Sequence, residues 1–277
     1  MSLKHDLQYA IETARGAGKI VMEHFGKVER LTKTHVATTD EAVTEADRAT
    51  QRFIVASLRK RFPDDGVIGE ESDLGNAITH ERGASGSRVW VIDPIDGTNN
   101  FIGGFPNFAV SIGLLDRGMP VLGVVYDVTR DLMYYASEGE GCWVGNRRLT
   151  TLATPLNDAS ILMMTSNCID ASGRCPAYAA RWLGQTNWKL RMIGSAALEA
   201  TQVAAGIAHG AVTINGKLWD IAAPAALVLE AGGRITDLQG KGIFPIDLTD
   251  YVGAKVPFLA AGPAAHGQML REMQLFP

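Results

Sequence analysis

The sequence predicts a layered α+β/α/β protein in two halves, and three observations carry that expectation. Two helical stripes open the chain, short β-branched and aromatic runs fill its middle, and helical and strand patterns alternate toward its end. At 277 residues with 46% hydrophobic content, there is enough apolar material for a large buried core.

From about Asp6 to Phe25, Leu7, Ala10, Ile11, Ala14, Val21, Met22 and Phe25 recur at three- and four-residue spacing, which predicts one apolar face of a helix ended by Gly26. A second helix is expected from Thr44, whose hydroxyl suits an N-cap, with Ala46, Ala49, Phe53, Ile54 and Leu58 as its apolar side and Pro63 beyond its end. Asp47 falls in its first turn. The segments DDGVIGEES, RVWVID, NFAVSIGLL, PVLGVVYD and LMYYAS then read as strands separated by Gly, Asp and Pro turns. Helices are expected again at about Ala177 to Leu183 and Ser195 to Ala205, followed by a strand at Gly210 to Ile214. An Ala-rich helix from about Asp220 to Ala231 ends at Gly232-Gly233. The change of texture near Leu149 to Asn157 places the boundary between an N-terminal half, residues 1–148, and a C-terminal half, residues 149–277.

Composition narrows the function. The net charge of -4 offers no clustered Lys and Arg for a polyanion, so neither nucleic acid nor an anionic membrane is an expected partner. The apolar stretch Ile221 to Leu229 is too short to span a bilayer, and MSLKHDLQYA carries charges where a secretory core would stand, so a soluble cytoplasmic protein is expected. Cys142, Cys168 and Cys175 are odd in number and form no C-x-x-C pair, which points to reduced thiols.

Acidic residues end apolar or glycine approaches in three places: Glu70 and Glu71 in VIGEES, Asp93 and Asp96 in WVIDPIDGTNNF, and Asp220 in LWDIAA. Each piece alone also fits a loop, an Asp-Gly turn or a helix N-cap. Brought together, the carboxylates would need cations to stay ionised, and an all-oxygen donor set selects hard ions such as Mg²⁺ or Mn²⁺. Proline fixes a backbone angle between Asp93 and Asp96, so both can face one site, with the Ile95 carbonyl offering an oxygen between them. Gly97 and Thr98, at the start of a short helix or turn, would present N–H groups suited to a phosphate oxygen. Two metals beside a phosphate cradle make a phosphoester hydrolysis site.

A competing pattern, Cys168 to Arg174 (CIDASGR), satisfies the C-x5-R spacing of a thiolate phosphatase loop. Its contents oppose that use: Asp170 would repel a phosphate, one glycine limits the backbone's approach, and no histidine precedes the cysteine to lower its pKa. His5, His24, His35, His80, His209 and His266 show no H-x-x-x-H spacing, and neither a G-x-S-x-G elbow nor a P-loop is present.

VIGEES, WVIDPIDGTNNF and LWDIAAPAALVLEAGG, in that order, closely resemble the three signatures of the inositol monophosphatase family, within the fructose-1,6-bisphosphatase-like superfamily of magnesium-dependent, lithium-sensitive phosphatases. Similar texture, including VTEAD and R-x-x-G-S-A-A from Arg191, runs from about Lys33 to Gly262. The resemblance implies an α-β-α-β-α sandwich, a homodimer, and two to three Mg²⁺ per site with Mn²⁺ as a substitute. Glu70, Asp93 and the Ile95 carbonyl are then ligands of a first ion, Asp93, Asp96 and Asp220 of a second, and a weaker third sits near Glu70. It further implies that Thr98, relayed by Asp47, helps deprotonate the attacking water, that Glu70 takes part in catalysis, and that Glu71 only supports the ligands. The Gly97 and Thr98 amides hold the phosphate, and Gly194, Ser195, Ala196 and Thr213 face the substrate.

Inositol-type members carry a glutamate seven residues before the WD aspartate; here that residue is Thr213. Lys217 either reads a second anionic group on the substrate or belongs to a solvated N-G-K turn. The expected activity is hydrolysis of a small phosphorylated polyol or sugar, inositol monophosphate by default. Histidinol phosphate and 3'(2'),5'-bisphosphonucleotides are the rival substrates, and a regulatory binder that keeps the fold without turnover is the alternative of another class.

Overall fold

The N-terminal helices form where the periodicity places them, but their buried faces are narrower than expected. The computed structural model describes residues 3–27, 45–71, 87–170, 172–249 and 251–276, and the backbone alone of 79–81. Helix α1 (Leu3–His24) buries Ala10, Ala14, Ala17, Gly18 and Val21, whereas Met22 is 45% exposed. Gly26 follows in the left-handed region, φ 78°. Small residues dominate the face because α1 lies very close to its neighbours: a Cβ on Gly18 would stand 2.4 Å from the Tyr126 ring, and one on Gly16 would stand 2.6 Å from the Phe53 ring. Helix α2 (Glu45–Arg61) buries Ala46, Asp47, Thr50, Gln51, Ile54 and Leu58. Phe53, expected on that face, is 37% exposed and serves the α1 contact instead. The expected cap Thr44 lies outside the described residues.

The β-rich middle forms one eight-stranded sheet. Its strands are β1 (Gly66–Gly69), β2 (Thr79–Glu81), β3 (Arg88–Asp96), β4 (Ala109–Asp116), β5 (Met119–Asp127), β6 (Leu132–Ser137), β7 (Gly141–Val144) and β8 (Arg147–Leu149), with the short helix α3 (Thr98–Gly103) between β3 and β4. The order is β2-β1-β3-β4-β5-β6-β7-β8; β1 runs parallel to β3 and every other pair is antiparallel. After residue 149 come β9 (Ile161–Met164), α4 (Ala177–Gly184), β10 (Lys189–Arg191), α5 (Ala196–Ala204), β11 (Gly210–Thr213), α6 (Leu218–Glu230), β12 (Arg234–Thr236), β13 (Phe258–Ala261) and α7 (Pro263–Leu275). These strands form a second sheet ordered β10-β9-β11-β13-β12, parallel from β10 to β11 and antiparallel from there on.

Three apolar cores fill the four interfaces among five layers. Ala14, Ile54, Trp90 and Val124 join α1 and α2 to the large sheet. Ile68, Val91, Leu198, Ile221 and Ala260 gather α5 and α6 between the two sheets. Leu162, Val212, Trp182 and Met269 join the small sheet to α4 and α7. The result is the expected α-β-α-β-α order, each sheet buried on both faces.

Helix α6 is seated on bare backbone. A Cβ on Gly123 would stand 2.2 Å from the Ala223 carbonyl oxygen, and one on Gly113 would stand 2.7 Å from the Ala223 nitrogen. Backbone cannot yield as a side chain does, so α6 must lift to admit a methyl group. Gly123→Ala is expected to cost about 1–3 kcal/mol through overpacking, seen as a fall of roughly 5 °C in the calorimetric melting midpoint. An unchanged midpoint would show that the helix has room to move.

Candidate active site

Strand β3 delivers its two aspartates to one face by means of a bulge. Residues three apart on a regular strand point to opposite faces. Here Asp93 pairs with Ser111 and Asp96 with Ala109, so three steps along β3 match two along β4. The extra residue falls at Pro94-Ile95, where proline offers no N–H to the ladder. The proline expected to set the angle thus acts together with a register shift that depends on β4. Asp93 Oδ1 folds back to accept the Ile95 N–H at 3.0 Å, and Thr98 Oγ1 donates to the Ile95 carbonyl at 3.1 Å.

Asp220 arrives from the helical layer between the two sheets. It is the third residue of α6 and not its N-cap: Lys217 is the cap, and Asp220 Oδ2 accepts the Lys217 N–H at 2.7 Å. Carboxylate oxygens of Asp93, Asp96 and Asp220 lie within 4.8 Å of one another. Asp93 and Asp96 are 2% and 5% exposed. Burial, followed by the charges of Glu70, Asp96, Asp220 and Asp47, holds the Asp93 carboxyl well above the usual carboxylate range. Glu70 and Asp47 therefore act on Asp93 from outside the tight group of three. Asp47 is fully buried in α2. Gln51, also on α2, pins the end of β1 by accepting the Glu71 N–H at 2.9 Å and donating to the Glu71 carbonyl.

Asp96 sits at the N-terminus of α5. It accepts the Ser195 hydroxyl, the Ala197 N–H at 2.9 Å and the Ala196 N–H at 3.2 Å. Burial pushes its carboxyl up to about 6, and these bonds limit the rise. The expected substrate residues Ser195 and Ala196 have thus committed these polar groups to a metal-ligand candidate, and the Gly194 N–H donates to Glu199 Oε1 at 3.2 Å. Gly194, Ser195, Ala196 and Thr213 still line a cleft of about 150 Å³ together with Asp96 and Asp220. Thr213 is 2% exposed and its hydroxyl has no partner. A Cβ on Gly216 would stand 2.8 Å from the Thr213 methyl carbon, so the methyl lies on Gly216. Gly97, at φ 99°, adjoins the same wall: a Cβ there would stand 3.2 Å from the Gly194 carbonyl oxygen.

The donor set fits a hard divalent cation. Three clustered carboxylates, two of them buried, offer only oxygen, and burial together with the surrounding negative charges raises Asp93.

The alternative motifs take up other tasks. Cys168 donates to the Thr165 carbonyl at 2.9 Å, and burial pushes its thiol up rather than down. Asp170 Oδ1 accepts the N–H groups of Ser172 and Arg174, occupying the loop where a phosphate would need those donors. Lys217 Nζ donates to the Gly253 carbonyl and lies 5.9 Å from the Trp219 ring centre, so it is neither in a solvated turn nor aimed into the cleft.

Sequence reasoning missed Asn100, Asn107 and Glu199, which converge on the Ile193-Gly194 peptide beside the cleft. Asn100 stands inside the aspartate motif and was the one visible signal.

The inositol monophosphatase family model matches residues 2–274. A Thermotoga maritima protein named fructose-1,6-bisphosphatase/inositol-1-monophosphatase is 35% identical over 238 residues, covering 85% of this chain and 86% of the relative. A Pasteurella multocida protein named Nus factor SuhB is 36% identical over 236 residues, covering 84% and 85%. A solved Thermotoga maritima IMPase superposes with a TM-score of 0.83 at 31% identity, covering 98% of this chain and 97% of that one. With the model spanning nearly every residue and the fold shared end to end, the chain belongs to the inositol monophosphatase family of phosphatases.

Proposed function

We propose that the protein is a Mg²⁺-dependent phosphomonoesterase acting on a small phosphorylated polyol or sugar, with inositol monophosphate as the default substrate. The observation that carries this reading is the convergence of Asp93, Asp96 and Asp220, from a strand of one sheet and a helix between sheets, at the edge of a cleft. Glu70 and the Ile95 carbonyl complete an oxygen set for two to three ions. Bound there, such ions activate water for attack at phosphorus and neutralise the leaving alkoxide. Gly97 and Thr98 supply amides to the phosphate, and the Thr98 hydroxyl would accept a proton from the attacking water while releasing its own, which now goes to the Ile95 carbonyl, toward the Asp47 carboxylate. Lithium sensitivity and a homodimer belong to the same reading and rest on the family resemblance, while a cytoplasmic location rests on the charged N-terminus and short apolar stretches, and the division into halves near residue 149 on the change of sequence texture there.

Thr213 puts a buried, neutral side chain in the cleft wall where a glutamate would present a charge. Lys255 Nζ donates to Asn215 Oδ1 at 2.7 Å, which brings a cation to another residue lining the cleft. Both features suit a leaving group that carries its own anionic substituent, and the name of the Thermotoga relative extends to a bisphosphate.

Turnover of a panel of phosphate esters with Mg²⁺, EDTA and lithium tests the reading. Hydrolysis of inositol 1-phosphate or a close analogue is expected to require Mg²⁺, to stop with EDTA and to fall with lithium. Activity that survived EDTA and died with a thiol reagent would transfer the chemistry to Cys168. A second reading, a regulatory binder without turnover, is favoured by the relatives named Nus factor SuhB. A folded, Mg²⁺-binding protein inert toward the whole panel would select it.

A further inference from the structure

The two peptide groups that flank Ile193, beside the cleft, are held at opposite edges. On the large-sheet side, Asn100 Nδ2 on α3 and Asn107 Nδ2 just before β4 each donate to the Ile193 carbonyl at 2.7 Å. Asn100 Nδ2 also donates to the Asn107 carbonyl at 2.7 Å, which ties the turn after Asp96 to the entry of the next strand. On the other side, Glu199 Oε1 accepts the N–H groups of Ile193 at 2.9 Å and Gly194 at 3.2 Å. Glycine is required at the crossing: Gly194 takes φ 74°, and a Cβ there would stand 2.9 Å from the Asn100 amide nitrogen.

Glu199 and Asn107 are 1% and 3% exposed. A buried carboxyl is costly wherever an apolar side chain could pack, unless its hydrogen bonds supply something the fold needs. Burial pushes the Glu199 carboxyl up to about 8 in spite of its two N–H donors. What it supplies is the placement of the turn leading into α5. That turn carries Ser195, Ala196 and Ala197, the three residues that hold Asp96.

We propose that Asn100, Asn107 and Glu199 are positioning residues that fix the Gly194–Ala197 wall, and through it the Asp96 carboxylate, against the Gly97-Thr98 turn. The bracket is the joint between the aspartate strand and the substrate wall, which belong to different layers of the fold. It acts through Asp96 and the Ile193-Gly194 peptide and not by touching the reacting atoms. The inference rests on the phosphoester reading of the cleft for its effect on turnover, while its effect on metal binding stands without it.

The test compares Asn100→Ala, Glu199→Ala and Glu199→Gln in the full chain, with Met269→Ala in the outer core as a control of similar destabilisation. A misplacement near 1 Å costs about 100-fold, and disturbed supports of metal ligands cost about 10–100-fold in affinity. Asn100→Ala and Glu199→Ala are therefore expected to lower kcat about 10–100-fold and to raise the half-saturating Mg²⁺ concentration about 10-fold. Glu199→Gln, whose Oε1 can still accept both N–H groups, is expected to return both values to within a few-fold of wild type. Met269→Ala should lower the melting midpoint and move neither value. Asn100→Ser, which keeps a small polar group, serves if the alanine variant does not fold. Folded variants with wild-type Mg²⁺ dependence, or a Met269→Ala protein with the same shift, would overturn the bracket. If wild type hydrolysed no ester, the phosphatase reading would fail, and Mg²⁺ titration by calorimetry would still decide the bracket.

Discussion

Asp93→Asn is expected to lower Mg²⁺-dependent ester hydrolysis by more than about 100-fold, since even the outer partners of a metal ligand cost 10–100-fold when lost, while the folded protein becomes more stable without metal. Both effects have one cause. The Asp93 carboxyl is 2% exposed and feels the charges of Glu70, Asp96, Asp220 and Asp47. With cations in place that convergence is attraction; without them it is repulsion in a medium that screens poorly. Asparagine keeps the size, and its side-chain oxygen can still accept the Ile95 N–H, so the bulge survives. Only the charge is removed. Near-wild-type turnover would remove Asp93 from the metal site. A lower midpoint for the metal-free variant would show that the carboxyl supports the fold by some other means.

How far the sequence reveals this site depends on how local each cause is. The strand leading to Asp93 and the helix after Lys217 are legible because apolar spacing is set by neighbours in the chain. The bulge at Pro94-Ile95 is not, since it exists only in the pairing of Asp93 with Ser111 and Asp96 with Ala109. Gly123 reads as an ordinary strand glycine until α6, a hundred residues later, is laid on it. Strands β2, β10 and β12 have three residues each, too few to show alternation. Ser195 and Ala196 were legible as site residues but not in their partner, Asp96, 99 and 100 residues away. Asn100 illustrates the same limit: it lies within the motif, yet its partner, the Ile193 carbonyl, is 93 residues distant. The motif fixes which residues meet, and long-range pairing fixes which atoms they use.

Mg²⁺ is expected to stabilise the protein increasingly as pH rises from about 4 to 8. Consider the metal-free protein first. Asp96 is raised to about 6 in the folded chain from 3.8. Below 3.8 it is protonated in both folded and unfolded chains, and its favourable contribution is complete. Between 3.8 and 6 the unfolded chain releases the proton first, so stability falls as pH rises. A shift of this size is worth on the order of 3 kcal/mol. Asp93 moves in the same direction, and Glu199, raised to about 8 from 4.5, extends the decline above neutrality. The metal-free midpoint should therefore be higher near pH 5 than near pH 8. Bound cations reverse the balance by favouring the ionised carboxylates, adding about 3 kcal/mol at a hundredfold excess over Kd. Proton competition weakens that gain at pH 5 and spares it at pH 8. Melting curves with EDTA and with Mg²⁺ across this range should diverge with pH, and Asp93→Asn should bring them together. Parallel curves in wild type would mean that the ion binds without displacing protons, and would overturn the clustered carboxylates as its site.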